Sequence, residues 1–542
     1  MMVTETTLAE AGQRAAAGFL ETVVVIDDRA FEGSRLGVEL ERTADGPTVR
    51  RRDRTLNTPT TRQEHELNAR ELVAAFAARG LVCGLLSPEP DATGDVPMAA
   101  VRKADIVVLD WNVYDDVGDG ALHIIESLWD EGDVLHRLRL VAVYTGDREL
   151  DLIVGKIVAL LRTLDPSPVR REGRFVCSKD MLRVAVFAKP NTVFQANERA
   201  KLARRVVESD LPRRLIDEFA KLTQGLVPCV ALMSLAAVRQ NTHRIATRLN
   251  RGLDPAYLWH RAMLTNPVEA EQTLVDLVAA ELQSVLENDE PGRGANLDAI
   301  RLWLKDQDLS KLGTQFGSTG PLNEDDVLAV LQLGALHENA QGEWLGSKLG
   351  LTKGGLAKKK IAGFARSTAE AERNDAAFAH LLGLKTRYSN PAPKLSLGVV
   401  VASGQGASER YWLCLQPRCD SIRLPGPTSF AMLPLDPARD GKRFDIVISS
   451  PNKIMRLELR RKPADLRMIK FPPMPGCDSV VAHATSGGRY RFRAETNRPA
   501  WYRFVAELKP DSAQLIANEF GYRISHVGLN ESEWLRRWRS AS

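Results

Sequence analysis

Four consecutive aliphatic residues, Ile106-Val-Val-Leu109, run directly into Asp110-Trp-Asn and on through a polar loop to Asp119-Gly120. A short apolar run without alternation is the pattern of a strand covered on both faces, as strands in a parallel sheet are. Such a strand constrains the fold class, because parallel neighbours need crossover connections that lay helices on the sheet. It also delivers a carboxylate to the carboxyl end of the strand, where open α/β sheets bind their ligands.

The flanking chain repeats this design. After an N-terminal helix, Thr22-Val-Val-Val-Ile-Asp-Asp28 is another apolar run, here ending in a pair of acids. Glu64 to Arg79 has helical spacing, with Leu67, Leu72, Val73 and Phe76 as its apolar stripe; Gly80 closes it and Leu81 to Leu86 reads as a strand. Ala121 to Trp129 and Leu150 to Leu164 read as helices. Leu138 to Gly146 is a strand ending in Thr145, and Arg183 to Pro190 is one ending in Lys189-Pro190, with Gly173 to Ser178 adding a short strand before it. The order predicts a parallel sheet with right-handed crossovers. Arg29 to Arg62, charged and turn-rich around Arg50-Arg-Arg-Asp-Arg54, reads as an insertion.

Four strand ends therefore carry an acid pair (Asp27, Asp28), an acid (Asp110), a hydroxyl (Thr145) and an amine (Lys189). In order and type they resemble the receiver domain of two-component response regulators, over roughly residues 20 to 200. The resemblance implies a flavodoxin-like α/β fold with a five-stranded parallel sheet. It implies Mg²⁺ held by Asp27, Asp28, Asp110 and the backbone carbonyl of Asn112, and phosphorylation of Asp110 with Lys189 and Thr145 in support. The chemistry is consistent: clustered carboxylates repel unless a cation joins them, Mg²⁺ takes oxygen ligands, and phosphoryl transfer depends on positioning and charge neutralisation. Singly, each residue has a plainer reading, since acid pairs cap helices and Thr-Gly makes turns. Two features depart from the family pattern. Arg29 to Arg62 and Asp165 to Arg183 are longer than expected, and Val186 stands where an aromatic belongs, three residues before the lysine. His65-Glu66-Leu67 superficially resembles a histidine-kinase phosphoacceptor box, but no proline follows and no nucleotide-binding glycine boxes appear; it reads as a surface histidine on a helix.

With 542 residues, 44% hydrophobic and 26% charged, the chain suits about three soluble domains. These are expected at 1–195 (the phosphoacceptor domain), 196–389 (helical) and 390–542 (a β-rich α+β domain). The net charge of +4 conceals a division: Met1 to Phe194 holds 24 Lys+Arg against 31 Asp+Glu, a net −7, which leaves +11 for the remainder. An acidic front and a basic rear suit mutual attraction or different partners. The six cysteines are scattered, and only Cys414 and Cys419 are close, without a second pair to complete a zinc site. No membrane span or signal-peptide core is evident, so a cytoplasmic protein is expected.

Beyond residue 196, helical pattern runs through Asn197 to Ser209, Pro212 to Leu222, Cys229 to Asn250, Arg301 to Leu304 and Asp325 to Leu336, with Asn288 to Gly294 as a linker or exposed loop. Lys353 to Arg366 is the most basic segment but lacks a phosphate-loop ending. Leu395 to Val401, Tyr411 to Leu415, Phe444 to Ser449, Ile454 to Leu459, Tyr490 to Arg493 and Trp501 to Ala506 read as strands, with Gly404-Gln-Gly406 as a hairpin loop. One closing helix begins near Asp511 with Gln514 as a capping partner, and Trp534, Leu535 and Trp538 stripe another.

The expected function is a phosphorelay component phosphorylated on Asp110 by a partner histidine kinase. Catalysis beyond receiver phosphorylation and dephosphorylation is not assigned. More loosely, the long insertions and large rear resemble the receiver proteins of bacterial phage-defence operons, which implies a phosphate-buffering role beside a downstream receiver-effector protein. The alternative is a phosphorylation-controlled, nucleic-acid-binding transcriptional regulator, for which no motif speaks.

Overall fold

The computed structural model describes residues 7–28, 40–43, 46–49, 67–87, 98–113, 117–129, 137–164, 167–265, 267, 269–307, 322–338, 342–351, 364–365, 367–438, 444–450, 453–486, 488–495 and 500–525. They fall into two compact units, Met1–Gln307 and Asp308–Ser542. Most of Arg29 to Arg62, His65, nearly all of Lys353 to Arg366, and Trp534, Leu535 and Trp538 lie outside the described residues.

The first unit opens with α1 (Leu8–Phe19), started by a capping box in which Thr7 and Glu10 bond each other's backbone N–H groups. Then come β1 (Thr22–Ile26), a hairpin of β2 (Leu40–Thr43) and β3 (Gly46–Val49), and α2 (Ala69–Ala77), capped by Asn68. β4 (Val82–Leu86), α3 (Met98–Lys103), β5 (Ile106–Leu109), α4 (Asp119–Trp129), β6 (Arg139–Thr145) and α5 (Leu150–Leu164) follow in alternation. β7 (Arg170–Arg171), β8 (Val176–Lys179) and β9 (Leu182–Ala188) complete the sheet.

The strand order is β4-β1-β5-β6-β9-β8-β7. The first five strands are parallel, as the aliphatic runs predict, while β8 and β7 add on antiparallel. The over-long Asp165 to Arg183 segment thus widens the sheet. It covers the edge that β9 would otherwise leave unpaired.

Both faces of the parallel strands are apolar because each has a helical cover. Val24, Ile26, Val107, Leu109 and Val143 face α3, α4 and α5; Val25, Val108, Ala142, Tyr144 and Phe187 face the other way. On that second face α1 and α2 are joined by helices from beyond residue 195. α6 (Arg199–Leu202) is a single short turn, after which Arg205 pairs as a bridge with Ala188 at the end of β9, so the expected helix over Asn197 to Ser209 is cut short by strand-end hydrogen bonding. α7 (Leu211–Leu222) then lays Leu211, Leu215 and Phe219 on the sheet, with Phe219 and Phe19 stacked at 6.0 Å. The buried Glu218 of α7 accepts from Arg183 of β9 at 2.7 Å.

α8 (Leu226–Arg248) lies over α1, with Cys229, Leu232 and Ala236 in the same core. Its Arg239 bonds Asp105 at 2.9 Å, just before β5. Burial pushes the Asp105 carboxyl up, but hydrogen bonds from Arg239 and the Glu21 and Thr22 N–H groups, with the Arg239 charge, outweigh it and hold the pKa below the ordinary value. α9 (Asp254–Met263), α10 (Glu269–Asp289) and α11 (Leu297–Lys305) finish the unit. Asn288 to Gly294, expected as a linker or exposed loop, is the end of α10 and a 3-10 turn that is exposed along most of its length but anchored: Pro291 is buried, and a Cβ on Gly294 would stand 2.9 Å from Met233 of α8.

The second unit contains α12 (Glu324–Leu333), α13 (Thr368–Gly383) and a nine-stranded sheet with β15 off its main path. The strands are β10 (Val399–Ser403), β11 (Arg410–Cys414), β12 (Thr428–Pro437), β13 (Ile446–Ser450), β14 (Lys453–Leu459), β15 (Arg467–Phe471), β16 (His483–Ala484), β17 (Tyr490–Ala494) and β18 (Ala500–Glu507). α14 (Pro510–Ser525) packs Ala513, Ile516 and Phe520 on one face. Gln514 bonds Asn518 rather than capping this helix. The Gly404 to Gly406 segment joins β10 and β11 as expected of a hairpin.

The longest strand, β12, was hidden by its prolines. Along one edge it pairs β15 up to Met432 and β14 from Leu435, so Pro434 falls at the changeover, where an N–H is least needed.

Candidate functional site

The chain steps from β1 outward to β4 on one side, then to β5, β6 and β9 on the other. Between β1 and β5 the direction of progress reverses, and the loops at their carboxyl ends diverge to leave a crevice. Asp27 and Asp28 follow β1 on one side of it, and Asp110 follows β5 on the other.

Neighbouring strands pin these residues through their backbones. Asp27 N–H donates to Leu86 O at 3.1 Å, Asp110 N–H to Ile26 O at 2.9 Å and Lys189 N–H to Thr145 O at 2.8 Å. Each side chain is therefore placed by a continuous ladder rather than by a free loop.

The side chains converge. Lys189 Nζ donates to Asp27 Oδ2 at 2.8 Å and to Asp110 Oδ2 at 2.6 Å. Asp27, Asp110 and Lys189 are all buried, while Asp28 is half-buried. One carboxylate oxygen from each of Asp27, Asp28 and Asp110 lies within 4.8 Å of the others. Three carboxylates and one ammonium sum to a formal charge of −2, held where solvent screens it poorly. Burial pulls the Lys189 pKa down, but the charges and hydrogen bonds of Asp110 and Asp27 outweigh it and hold it above the ordinary lysine value.

Thr145 is fully buried at the end of β6, opposite Ala188, the residue before Lys189. Its hydroxyl accepts from the Asp147 N–H at 3.1 Å, which joins it to the loop that follows β6. Asn112 N–H points back to Asp110 Oδ1 at 3.4 Å. Val186 is buried on the α5 side, and the aromatic adjacent to Thr145 is Tyr144 on the opposite face, donating to Val206 O at 2.9 Å.

Several supporting residues escaped the sequence reading. Trp111 is buried directly after Asp110, and Lys156 of α5 sits 5.7 Å over its ring. Gly118 has φ +98°, and a Cβ there would stand 2.1 Å from the Trp111 ring. The glycine is required both by its backbone angle and by this close approach. Ser87 donates to Asp28 O at 3.0 Å, and Thr192 donates its N–H to Lys189 O at 3.1 Å. The Trp-Asn after Asp110 and the Gly before Asp119 were the available signals, but their mutual contact is a tertiary fact.

The donor set fits a small, hard divalent cation. All three groups are carboxylates, and one such ion would balance their residual charge. Residues 19–194 match the family model described as the response receiver domain. Comparisons with curated proteins and with solved structures gave no match. The chain thus carries a receiver domain at its front, a phosphorelay module whose family typically binds Mg²⁺ through such an acid cluster. Among the described residues no helix is long and apolar enough to cross a membrane.

Proposed function

We propose that Asp110 is the phosphoacceptor, taking a phosphoryl group from a partner histidine kinase. The observation that carries this is the Lys189 ammonium joined to both Asp27 and Asp110, with Asp28 beside them.

A carboxylate oxygen of Asp110 attacks the phosphorus of a phosphohistidine. An O–P bond forms as the P–N bond breaks, and the electron pair leaves with the imidazole nitrogen. Little covalent chemistry falls to the protein, so position and charge decide the rate. The ladder from Ile26 O to Asp110 N–H fixes the nucleophile, and Trp111 against Gly118 braces the loop beyond it. Lys189 remains protonated and offsets charge on the phosphoryl oxygens. Mg²⁺, when bound, would be held by Asp27, Asp28, Asp110 and the backbone carbonyl of Asn112 and would supply further charge neutralisation. Thr145 exchanges its bond with Asp147 N–H for one donated to a phosphoryl oxygen, which shifts its loop and makes phosphorylation a switch.

The finer reading is a phosphate-buffering component of a bacterial antiphage two-component system, set between a sensor kinase and a receiver-effector and acting in the cytoplasm. Its support is the loose resemblance of a large receiver protein with long insertions. The test is incubation with Mg²⁺ and a small phosphodonor, followed by partner kinase. One acyl phosphate at Asp110, returned to the kinase on mixing, supports the buffering role; an acyl phosphate that kinase cannot recover counts against buffering.

A further inference from the structure

At one end of the second unit's sheet, the strand order runs β10-β18-β17-β16. Residues directly opposite in an antiparallel ladder project from the same face. His483 pairs with Arg491, Arg491 with Arg503, and Arg493 with Trp501. On β17 the alternate residues Phe492 and Ala494 are buried in the core, so Arg491 and Arg493 face outward and carry the whole set with them. The result is an outward surface on which Arg491, Arg493, His483 and Trp501 are exposed and Arg503 is half-buried.

The Arg491 guanidinium stands 4.0 Å from the centre of the Trp501 ring, and the His483 ring meets that ring edge-on at 5.6 Å. Trp501 remains 36% exposed. Arg503 bonds Glu409 at 2.5 Å. Arg491 and Arg493 have no carboxylate within ion-pair distance among the described residues. Like charges placed opposite each other weaken a sheet, and an exposed tryptophan adds little to a core. Both features suit an anionic, aromatic ligand.

We propose that this face binds single-stranded nucleic acid, with a base stacked on Trp501 and phosphates held by Arg491, Arg493 and Arg503. Guanidinium forks match phosphate oxygens, and an indole ring accepts any base. A single strand is specified because a duplex hides its base faces from a flat sheet surface. The site lies outside the receiver domain, so its success or failure is independent of Asp110.

The test uses the full chain and its Asp110→Asn variant with fluorescein-labelled oligonucleotides of about 12 nucleotides. The oligonucleotides are single-stranded DNA or RNA and the matching duplex; labelled polyglutamate serves as an acidic-polypeptide control, and all are measured across a salt series. Single strands bind best, quench tryptophan fluorescence and, on ultraviolet irradiation, crosslink to the peptide containing Trp501. Trp501→Ala weakens binding about tenfold. Arg491→Ala with Arg493→Ala lowers the salt dependence by about 1.4 in log–log slope, at about 0.7 per phosphate contact, while melting temperatures stay near wild type. The proposal is overturned by no binding at low salt, by equal binding of duplex or polyglutamate, or by a crosslink elsewhere. Affinity that survives all three substitutions in folded protein also overturns it.

Discussion

The Lys189 ammonium lies 2.6 Å from Asp110 Oδ2 with both side chains buried, so the chain carries its own counter-charge to the nucleophile. Replacing it with a neutral group strands two acids in a poorly solvated crevice. Lys189→Met is expected to cost about 3–5 kcal/mol in metal-free buffer. Added Mg²⁺ should narrow the gap by neutralising the same acids, as read from urea unfolding with and without chelator. An unchanged unfolding midpoint would show that the ion pair contributes nothing.

Gly118→Ala puts a methyl group into the Trp111 ring and forces a side chain into a positive-φ conformation. A loss of about 1–3 kcal/mol follows from overpacking, with slower Asp110 phosphorylation because the brace beside the nucleophile moves. Trp111→Ala should remove the clash, so the double variant regains phosphorylation rate relative to Gly118→Ala. Failure of that rescue would separate the two residues.

The receiver sheet depends on α7. Phe219 is fully buried against it, and Phe219→Ala should cost about 3–5 kcal/mol. A fragment ending at residue 195 leaves the Tyr144 and Phe187 face without this helix and is expected to bind hydrophobic dye and melt without cooperativity. One ending at Gln307 should unfold in a single sharp transition. A cooperative melt of the shorter fragment would contradict the dependence.

Asp105 ties α8 to the sheet through Arg239, and its pKa is lowered on folding from the ordinary 3.8. A depressed carboxyl pKa stabilises the fold above the unfolded value, and this stability is lost as pH falls below 3.8 through the lower folded value. Asp105→Asn should therefore be less stable at neutral pH and lose less on acidification. Parallel stability curves for the two proteins between pH 6 and pH 2 would remove Asp105 from the acid transition.

How much of this was legible depends on where the information resides. β1, β5, β6 and β9 could be read because parallel strands are buried on both faces and appear as apolar runs without alternation, such as Leu140 to Tyr144 and Val184 to Ala188. Their terminal groups, Asp27, Asp110, Thr145 and Lys189, followed at once. The bond that Thr145 accepts from the Asp147 N–H is a local detail that spacing does not encode. The role of α7 could not be read, because an amphipathic stripe declares a buried face without naming the surface that covers it. β12 was masked by Pro434, acceptable only because two different strands share that edge. The pairing of Arg491 with Arg503, and of Arg493 with Trp501, depends on register, which the isolated strands do not specify.

The central claim is that Asp110 becomes an acyl phosphate. Purified full-length protein is incubated with Mg²⁺ and acetyl phosphate, trapped with borohydride, digested and mapped by mass spectrometry. The account predicts one modified aspartate, Asp110, with modification lost in Asp110→Asn and strongly reduced in Lys189→Met. Modification that persists at another residue in Asp110→Asn, or none in wild type under conditions that label a control receiver, would contradict it.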